Sequence, residues 1–237
     1  SSTGELVSIL SDGKEVLSSP LRLNVWRAPL ANELDGWNAY SAGASRSSGY
    51  GSIGHSNTLA AHYYSAGLDN LGQAVASVST RAFEGGAAVD VRELILLGGG
   101  RGETRQLDQY ISGMSFDGFE SIWSYIVYGD GTVKIRHTVK PQGTMPPYLP
   151  RIGVTFGLDG SLSNVQWYGR GPQANYPDRK SGYRLGIWTS TVEDMYEPYL
   201  IPQDYGLRTD NRWVRMTDSD GKGVELSVDQ LFNFNAY

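Results

Sequence analysis

Six carboxylates are placed where acid–base chemistry could be sought: Glu33, Asp35, Asp178, Glu193, Asp194 and Asp204. Cleavage of a glycosidic bond usually takes two carboxylates flanking that bond, about 5 Å apart for retention and farther apart for inversion. Glu193 and Asp194 are adjacent, so in a strand they project to opposite faces and cannot form such a pair directly. The three histidines, His55, His62 and His137, lack the tight spacing of a metal site. His137 falls on the apolar face of a predicted strand and reads as a hydrogen-bonded core residue, whereas His55 and His62 read as solvated. There is no cysteine, hence no disulfide framework and no thiolate metal site. Neither a G-x-S-x-G nucleophile motif nor a P-loop occurs. "GGGRGETR", from Gly98, lacks dinucleotide-fingerprint spacing and reads as a flexible hairpin tip. No active site is legible, and no cofactor is expected.

The densest chemistry lies in "VQWYGRGPQANYPDRKSGY", residues 165–183. An apolar run ends at Trp167, and Gly169, Gly171 and Pro172 break it. Asn175, Tyr176, Asp178, Arg179 and Lys180 then crowd polar and aromatic groups into six positions. Such a pattern suits a turn packed by its own side chains. Tyr176 is expected to pack under the loop, and Arg179 and Asp178 to pair with backbone or each other. Loss of Tyr176 or Arg179 is therefore expected to cost on the order of 1–4 kcal/mol. Trp167 reads as core.

The elements that must position these groups are almost all of period two. "ELVSILSDGKEVL" (5–17) forms two short strands around Ser11-Asp12-Gly13, a hairpin signal. "AAVDVRELILL" (87–97) alternates and then turns fully apolar. "ESIWSYIVYGDGTVKIRHTVKP" (120–141) places two strands around Gly129-Asp130-Gly131. Further strands are predicted at 149–158, with Ile152, Val154 and Phe156 on one face, and at 162–169. Another hairpin is predicted at 212–229 around Asp218–Gly223, and "LFNFNAY" at the end reads as strand. No window of a dozen residues carries an i, i+3, i+4, i+7 apolar stripe, so helices are short or absent. Residues 31–62 form a Gly/Ser/Ala/Asn-rich insertion too long for an idle connector. It is expected to be functional or mobile, anchored by Trp37, Tyr40 and Tyr50. The fold class is all-β, a large antiparallel sandwich, with a closed barrel as the second choice.

Bulk composition is that of a globular chain able to bury a substantial core: 237 residues, 40% hydrophobic and 19% charged. With net charge −5 and scattered Lys and Arg, neither nucleic acid nor an anionic membrane is expected as a partner. No apolar stretch approaches the roughly 20 residues that span a bilayer. The N-terminus lacks the basic and apolar regions of a signal peptide, which leaves the compartment open, cytoplasmic or secreted. Thirty Gly, fifteen Tyr and six Trp point to many tight turns and an aromatic-rich core or a carbohydrate-facing surface.

Three stretches carry a family resemblance. "LPRIG" (149–153), "WYGRGPQANYPDR" (167–179) and "YLIPQDYGLR" (199–208) occur in this order after an opening "WRAPLANE" (26–33). The chain from about residue 5 to 237 resembles the C-terminal domain of large bacterial β-galactosidases of glycoside hydrolase family 2. The family patterns are L-P-R-I-G, W-x-G-x-G-P-x-E-N-Y-x-D-R, Y-x-x-P-Q-E-x-G-x-R and W-R-A-P-x-D-N-D. The resemblance implies a galactose mutarotase-like supersandwich, a single domain over 1–237, with the two catalytic glutamates on a separate (β/α)8 barrel. That barrel, in the same polypeptide, is the implied partner, and a galactoside the implied substrate of the parent enzyme. The chain stops before the family's last strands, so a truncated C-terminal domain is expected. Ala31 and Glu33 stand where the family has Asp, Ala174 replaces Glu, and Asp204-Tyr205 replaces a Glu-led pair.

On this reading the chain is a non-catalytic accessory domain that supports the barrel and forms part of the substrate cleft wall. The candidate interdomain or carbohydrate-facing residues are Arg27, Asn32, Trp37, Tyr176, Asp178, Arg179 and Arg208. Two other classes compete. A free-standing carbohydrate-binding module would need an exposed aromatic platform with polar neighbours. A mutarotase-like aldose epimerase would need a His acid and a Glu base in one cleft.

Overall fold

The computed structural model describes residues 4–35, 58–98, 115–200 and 203–237. Trp37, Tyr40, Tyr50 and His55, and with them most of the 31–62 insertion, lie outside the described residues, as do Gly99 and Gly100. In chain order the strands begin with β1 (Leu10–Ser11), β2 (Lys14–Glu15) and β3 (Leu17–Asn24). Two short helices follow, α1 (Ala31–Asp35) and α2 (Leu59–Ser65), so the insertion has helical ends. Next come β4 (Gly72–Phe83), β5 (Gly86–Leu96), β6 (Gly118–Tyr128), β7 (Val133–Gln142) and β8 (Gly153–Leu158). The last four are β9 (Asn164–Gly171), β10 (Arg184–Thr191), β11 (Arg208–Thr217) and β12 (Gly223–Phe234). The pairings within β1–β2, β4-β5-β6-β7 and β10-β9-β11-β12 are antiparallel, as the period-two pattern predicts.

The chain divides into two compact units. The first comprises Ser1–Val7 and Pro20–Thr155. Its sheet has the order β4-β5-β6-β7. Alternation along β6 sends Phe119, Trp123 and Tyr125 inward, and Ile95 lies opposite Phe119. Leu23, Val25, Tyr63, Leu68, Ile95 and Phe119 form its main core cluster. The α2 helix begins at Thr58, whose hydroxyl accepts from the Ala61 N–H at 3.1 Å and so satisfies one of the free donors of a helix start.

The second unit comprises Ser8–Ser19 and Phe156–Tyr237, with a sheet of order β10-β9-β11-β12. Val16, Leu162, Val165, Trp167, Met195, Val214 and Met216 make its core. The β1–β2 hairpin turns on Asp12 and Gly13, both at positive φ (51° and 77°), the backbone that a two-residue turn between twisted strands demands. β12 extends through "LFNF", so the terminal strand expected from the sequence is the far half of the last hairpin.

The apolar face expected from Ile152, Val154 and Phe156 is open at its start, with Phe156 half-buried. Ile152 is 61% and Val154 40% exposed. Among the described residues β8 pairs with β3 alone, in a two-stranded sheet. Alternation reveals that a strand has an apolar face, but not what covers it.

Candidate functional site

The loop between β9 and β10 is organised around Asn175. The hairpin register closes at Gly171 opposite Arg184, and residues 172–183 connect the strands. Asn175 is fully buried. Its Nδ2 donates to the carbonyls of Gln173 (3.0 Å) and Arg170 (3.3 Å). Its Oδ1 accepts from the Thr209 N–H (3.1 Å) and the Thr209 hydroxyl. The Asn175 N–H donates to Leu207 O at 2.8 Å. One amide thereby ties the loop to the start of β11.

Tyr176 is buried and donates its hydroxyl to Asp204 Oδ2 at 2.9 Å, as a residue packed under the loop should. Arg179 behaves differently from the expected pairing. Its guanidinium lies 4.9 Å from the Tyr176 ring centroid, and Nη2 donates to the Tyr199 hydroxyl at 3.3 Å. That hydroxyl in turn donates to Glu197 at 2.5 Å. Asp178 is exposed and has no hydrogen bond or ion pair among the described residues. A short 3-10 turn follows at Lys180–Gly182, and its first residue, Lys180, reaches Asp210.

Asp210 is the electrostatic centre of the loop, and nothing in the sequence pattern marks it. Its two oxygens take Lys180 Nζ at 2.8 Å and Arg170 Nε at 2.6 Å. Those two hydrogen bonds, Lys180 first, hold its carboxyl below the ordinary value. Arg170 also donates to Tyr183 O at 2.8 Å. Arg208 lies beneath, 4% exposed, with its guanidinium 5.3 Å from the Trp167 ring centroid and Nη1 donating to Gly206 O. Burial pushes its pKa down, and its Nε has no partner among the described residues. Trp167 is core, as expected.

Gly169 admits the close approach on which this packing depends. A Cβ there would lie 2.0 Å from Asn211 Oδ1 and 3.1 Å from Asn211 Cα. Asn211 cannot withdraw, because its Nδ2 is held by Arg208 O (2.7 Å) and Phe232 O (2.9 Å). Gly169→Ala is therefore expected to lower stability by about 1–3 kcal/mol, read as a reduced urea midpoint with unchanged slope.

The other candidates lie in the first unit. Arg27 grips Glu33 with both terminal nitrogens, at 2.6 and 2.8 Å. Glu33 also accepts from the Leu30 N–H (2.8 Å) and the Tyr63 hydroxyl (3.1 Å). Glu33 thus has a definite polar role although it departs from the family's Asp. Asn32 is exposed on α1. Trp37 lies outside the described residues.

Three of the six carboxylates considered for catalysis have structural duties. Glu33 is bound to Arg27, Asp204 to Tyr176, and Asp194 to the Thr191 hydroxyl at 2.8 Å. Glu193 begins a 3-10 turn and is exposed, and Asp35 ends α1. Among the described residues no three acidic or histidine side chains converge as metal ligands. In the sequence Asn175 is only one of several crowded polar residues, and neither Asn211 nor Glu93, a buried carboxyl on β5, is marked as a site residue; the importance of all three comes from burial.

Antiparallel sheets make this an all-β chain, with the β9–β10 loop tied down by its own buried amide. The chain belongs to the beta-galactosidase small chain family, whose model matches residues 1–237. It is 41% identical over 113 residues to a beta-galactosidase of Priestia megaterium, covering 48% of this chain and 11% of that protein. To a beta-galactosidase of Vibrio cholerae it is 29% identical over 214 residues, covering 90% and 18%. For that of Pseudoalteromonas haloplanktis the identity is 30% over 214 residues, covering 88% and 17%. The chain spans less than a fifth of the length of these curated relatives.

Proposed function

We propose that this chain is a non-catalytic accessory domain of a β-galactosidase, packed against the part of the enzyme that carries the catalytic carboxylates and forming part of the galactoside cleft wall. The observation that carries this reading is the family match along residues 1–237, set against relatives of whose length the match covers less than a fifth. The partner is the catalytic barrel of the same polypeptide, and the substrate belongs to the whole enzyme. The proposal takes residues 1–237 as one domain of galactose mutarotase-like type.

The outward-facing Ile152 and Val154 support an interdomain surface, since apolar side chains exposed side by side favour a partner. In the loop, the internal ties of Asn175, Tyr176 and Asp210 support a scaffold that holds a wall in place. Tyr176, Arg179 and Arg208 then serve the cleft by fixing that wall, while Arg27 fixes the entrance to the 31–62 insertion.

The test uses the purified chain, the full-length parent enzyme, and the parent lacking this domain, each with a chromogenic β-galactoside. The chain alone is expected to give no turnover. The shortened parent should lose activity and recover part of it when the chain is added back. Turnover by the chain alone that survives repurification, and disappears when one Asp or Glu is replaced, would overturn the proposal.

A further inference from the structure

The inner face of the first unit's sheet contains a carboxyl group in an apolar row. Glu93 on β5 stands between Val91 and Ile95 and is 3% exposed. Across the register lie Ser121 and, one pair along, Trp123. Gln73 Nε2 donates to Glu93 Oε1 at 2.7 Å, and Trp123 Nε1 donates to Oε2 at 3.0 Å. Ser121 Oγ lies 3.4 Å from Oε2 and 2.9 Å from His137 Nε2. His137 is half-buried on β7, stacked on Trp123 with ring centroids 3.6 Å apart. No cation pairs with Glu93 among the described residues.

Serine has one proton to donate. Given to Glu93, it requires a proton on His137 Nε2, which donates to Ser121 Oγ. Given to His137, it leaves the Glu93 contact bonded only when the carboxyl is itself protonated and donates to Ser121 Oγ. The chain Glu93–Ser121–His137 therefore runs in either of two directions, and one proton on Glu93 selects between them. An ionised carboxylate buried with neutral donors and no counter-charge is the costlier alternative. We propose that the folded chain holds Glu93 as a neutral carboxylic acid, and that Glu93, Ser121 and His137 form a proton-controlled latch on this sheet which ionisation of Glu93 loosens.

The surrounding groups support that assignment. Burial pushes the Glu93 carboxyl above its ordinary value, and the nearby Glu5 pushes it the same way. Glu5, from the N-terminal segment, is itself paired with Arg22 of β3 at 3.2 Å. On β6, burial, the largest cause, keeps the Tyr125 hydroxyl protonated. β4 presents Gln73 and Val75 to Glu93, neither of them titratable. On β7, burial pushes the His137 ring down to about 4. The two groups act on stability in opposite directions. The Glu93 contribution is full below its unfolded value of 4.5 and is lost as pH rises through the higher folded value. The His137 contribution is full above 6.5 and is lost as pH falls toward about 4.

Thermal melts of the full chain, Glu93→Gln and His137→Gln across about pH 4 to 9, a range that brackets the ordinary Glu and His values, test the latch. The wild-type chain should melt highest in mid-range and fall on both sides. Glu93→Gln, whose amide keeps one donor and one acceptor, should abolish the alkaline fall and raise the alkaline melting temperature by at least about 3 °C. His137→Gln should reduce the acid fall, leaving the part owed to carboxylates held below their ordinary value such as Glu33 and Asp210, and keep the alkaline fall. Infrared spectra of the wild type at neutral pH should show a protonated carboxyl band that Glu93→Gln removes. A variant Glu93→Gln that keeps the alkaline fall, or melts lower at every pH, would overturn the proposal. Should that variant fail to fold, the wild-type spectrum decides: a protonated carboxyl persisting at neutral pH until alkaline unfolding supports the latch, and ionised carboxylate alone overturns it.

Discussion

Asn175→Ala should lower the stability of the chain by about 3–4 kcal/mol, since each buried partner left unsatisfied costs about 1–3 kcal/mol. Four contacts depend on this one side chain: the carbonyls of Arg170 and Gln173, and the N–H and hydroxyl of Thr209. Water can replace few of them, because Asn175 is fully buried and Thr209 nearly so. Asn175→Asp should also be destabilising, as it keeps the acceptor for Thr209 but turns a second acceptor toward two carbonyls. Arg179→Ala is the internal control. Its guanidinium is exposed and finds a ring face and a phenol rather than a carboxylate, so its loss should cost less than about 1 kcal/mol. This is at or below the low end of the 1–4 kcal/mol expected from residue type. Urea unfolding at neutral pH measures all three variants. Equal losses for Asn175→Ala and Arg179→Ala would show that the loop is held by its surface rather than by its buried amide.

The same contrast explains what the residues disclosed and what they concealed. Hairpins at 10–15, 118–142 and 208–234 were legible because Asp-Gly turns and alternating apolar positions signal one another. β4 was passed over: "GQAVASVSTRAF" has few large apolar residues, and a bulge between Val75 and Ser77 breaks its alternation. β10 was hidden for a related reason, since Leu185 and Ile187 point outward and only Trp188 packs against the core. In the site, Tyr176 was visible as a large residue between chain breaks. Asp210 and Asn211 lie within β11, where residue type alone does not reveal a positive φ of 56° or a buried amide. Family motifs located the loop. They could not say which of its side chains carry the load.

Arg27→Ala is expected to cost about 3–5 kcal/mol, the range for breaking a buried ion pair from one side. Both partners are well sheltered, with side-chain exposures of 12% for Arg27 and 9% for Glu33. Without Arg27, the Glu33 carboxylate keeps only the Leu30 N–H and the Tyr63 hydroxyl. Burial by itself would raise the Glu33 pKa, yet Arg27 and these two donors together bring it below 4.5. The sign of the pH effect follows. Stability from Glu33 is fully present above 4.5 and is lost as pH falls through its lower folded value. In Arg27→Ala the lowering is removed, so the gap between variant and wild type should be widest at neutral pH and narrow in acid. Arg27→Lys should recover only part of the loss, because an ammonium cannot reproduce the two-pronged grip on both oxygens. Guanidinium unfolding at neutral and acid pH would measure the gap. A gap independent of pH would mean that Arg27 acts through packing alone. A gap that closes in acid would place the charge pair itself at the junction where the chain leaves β3 and enters α1.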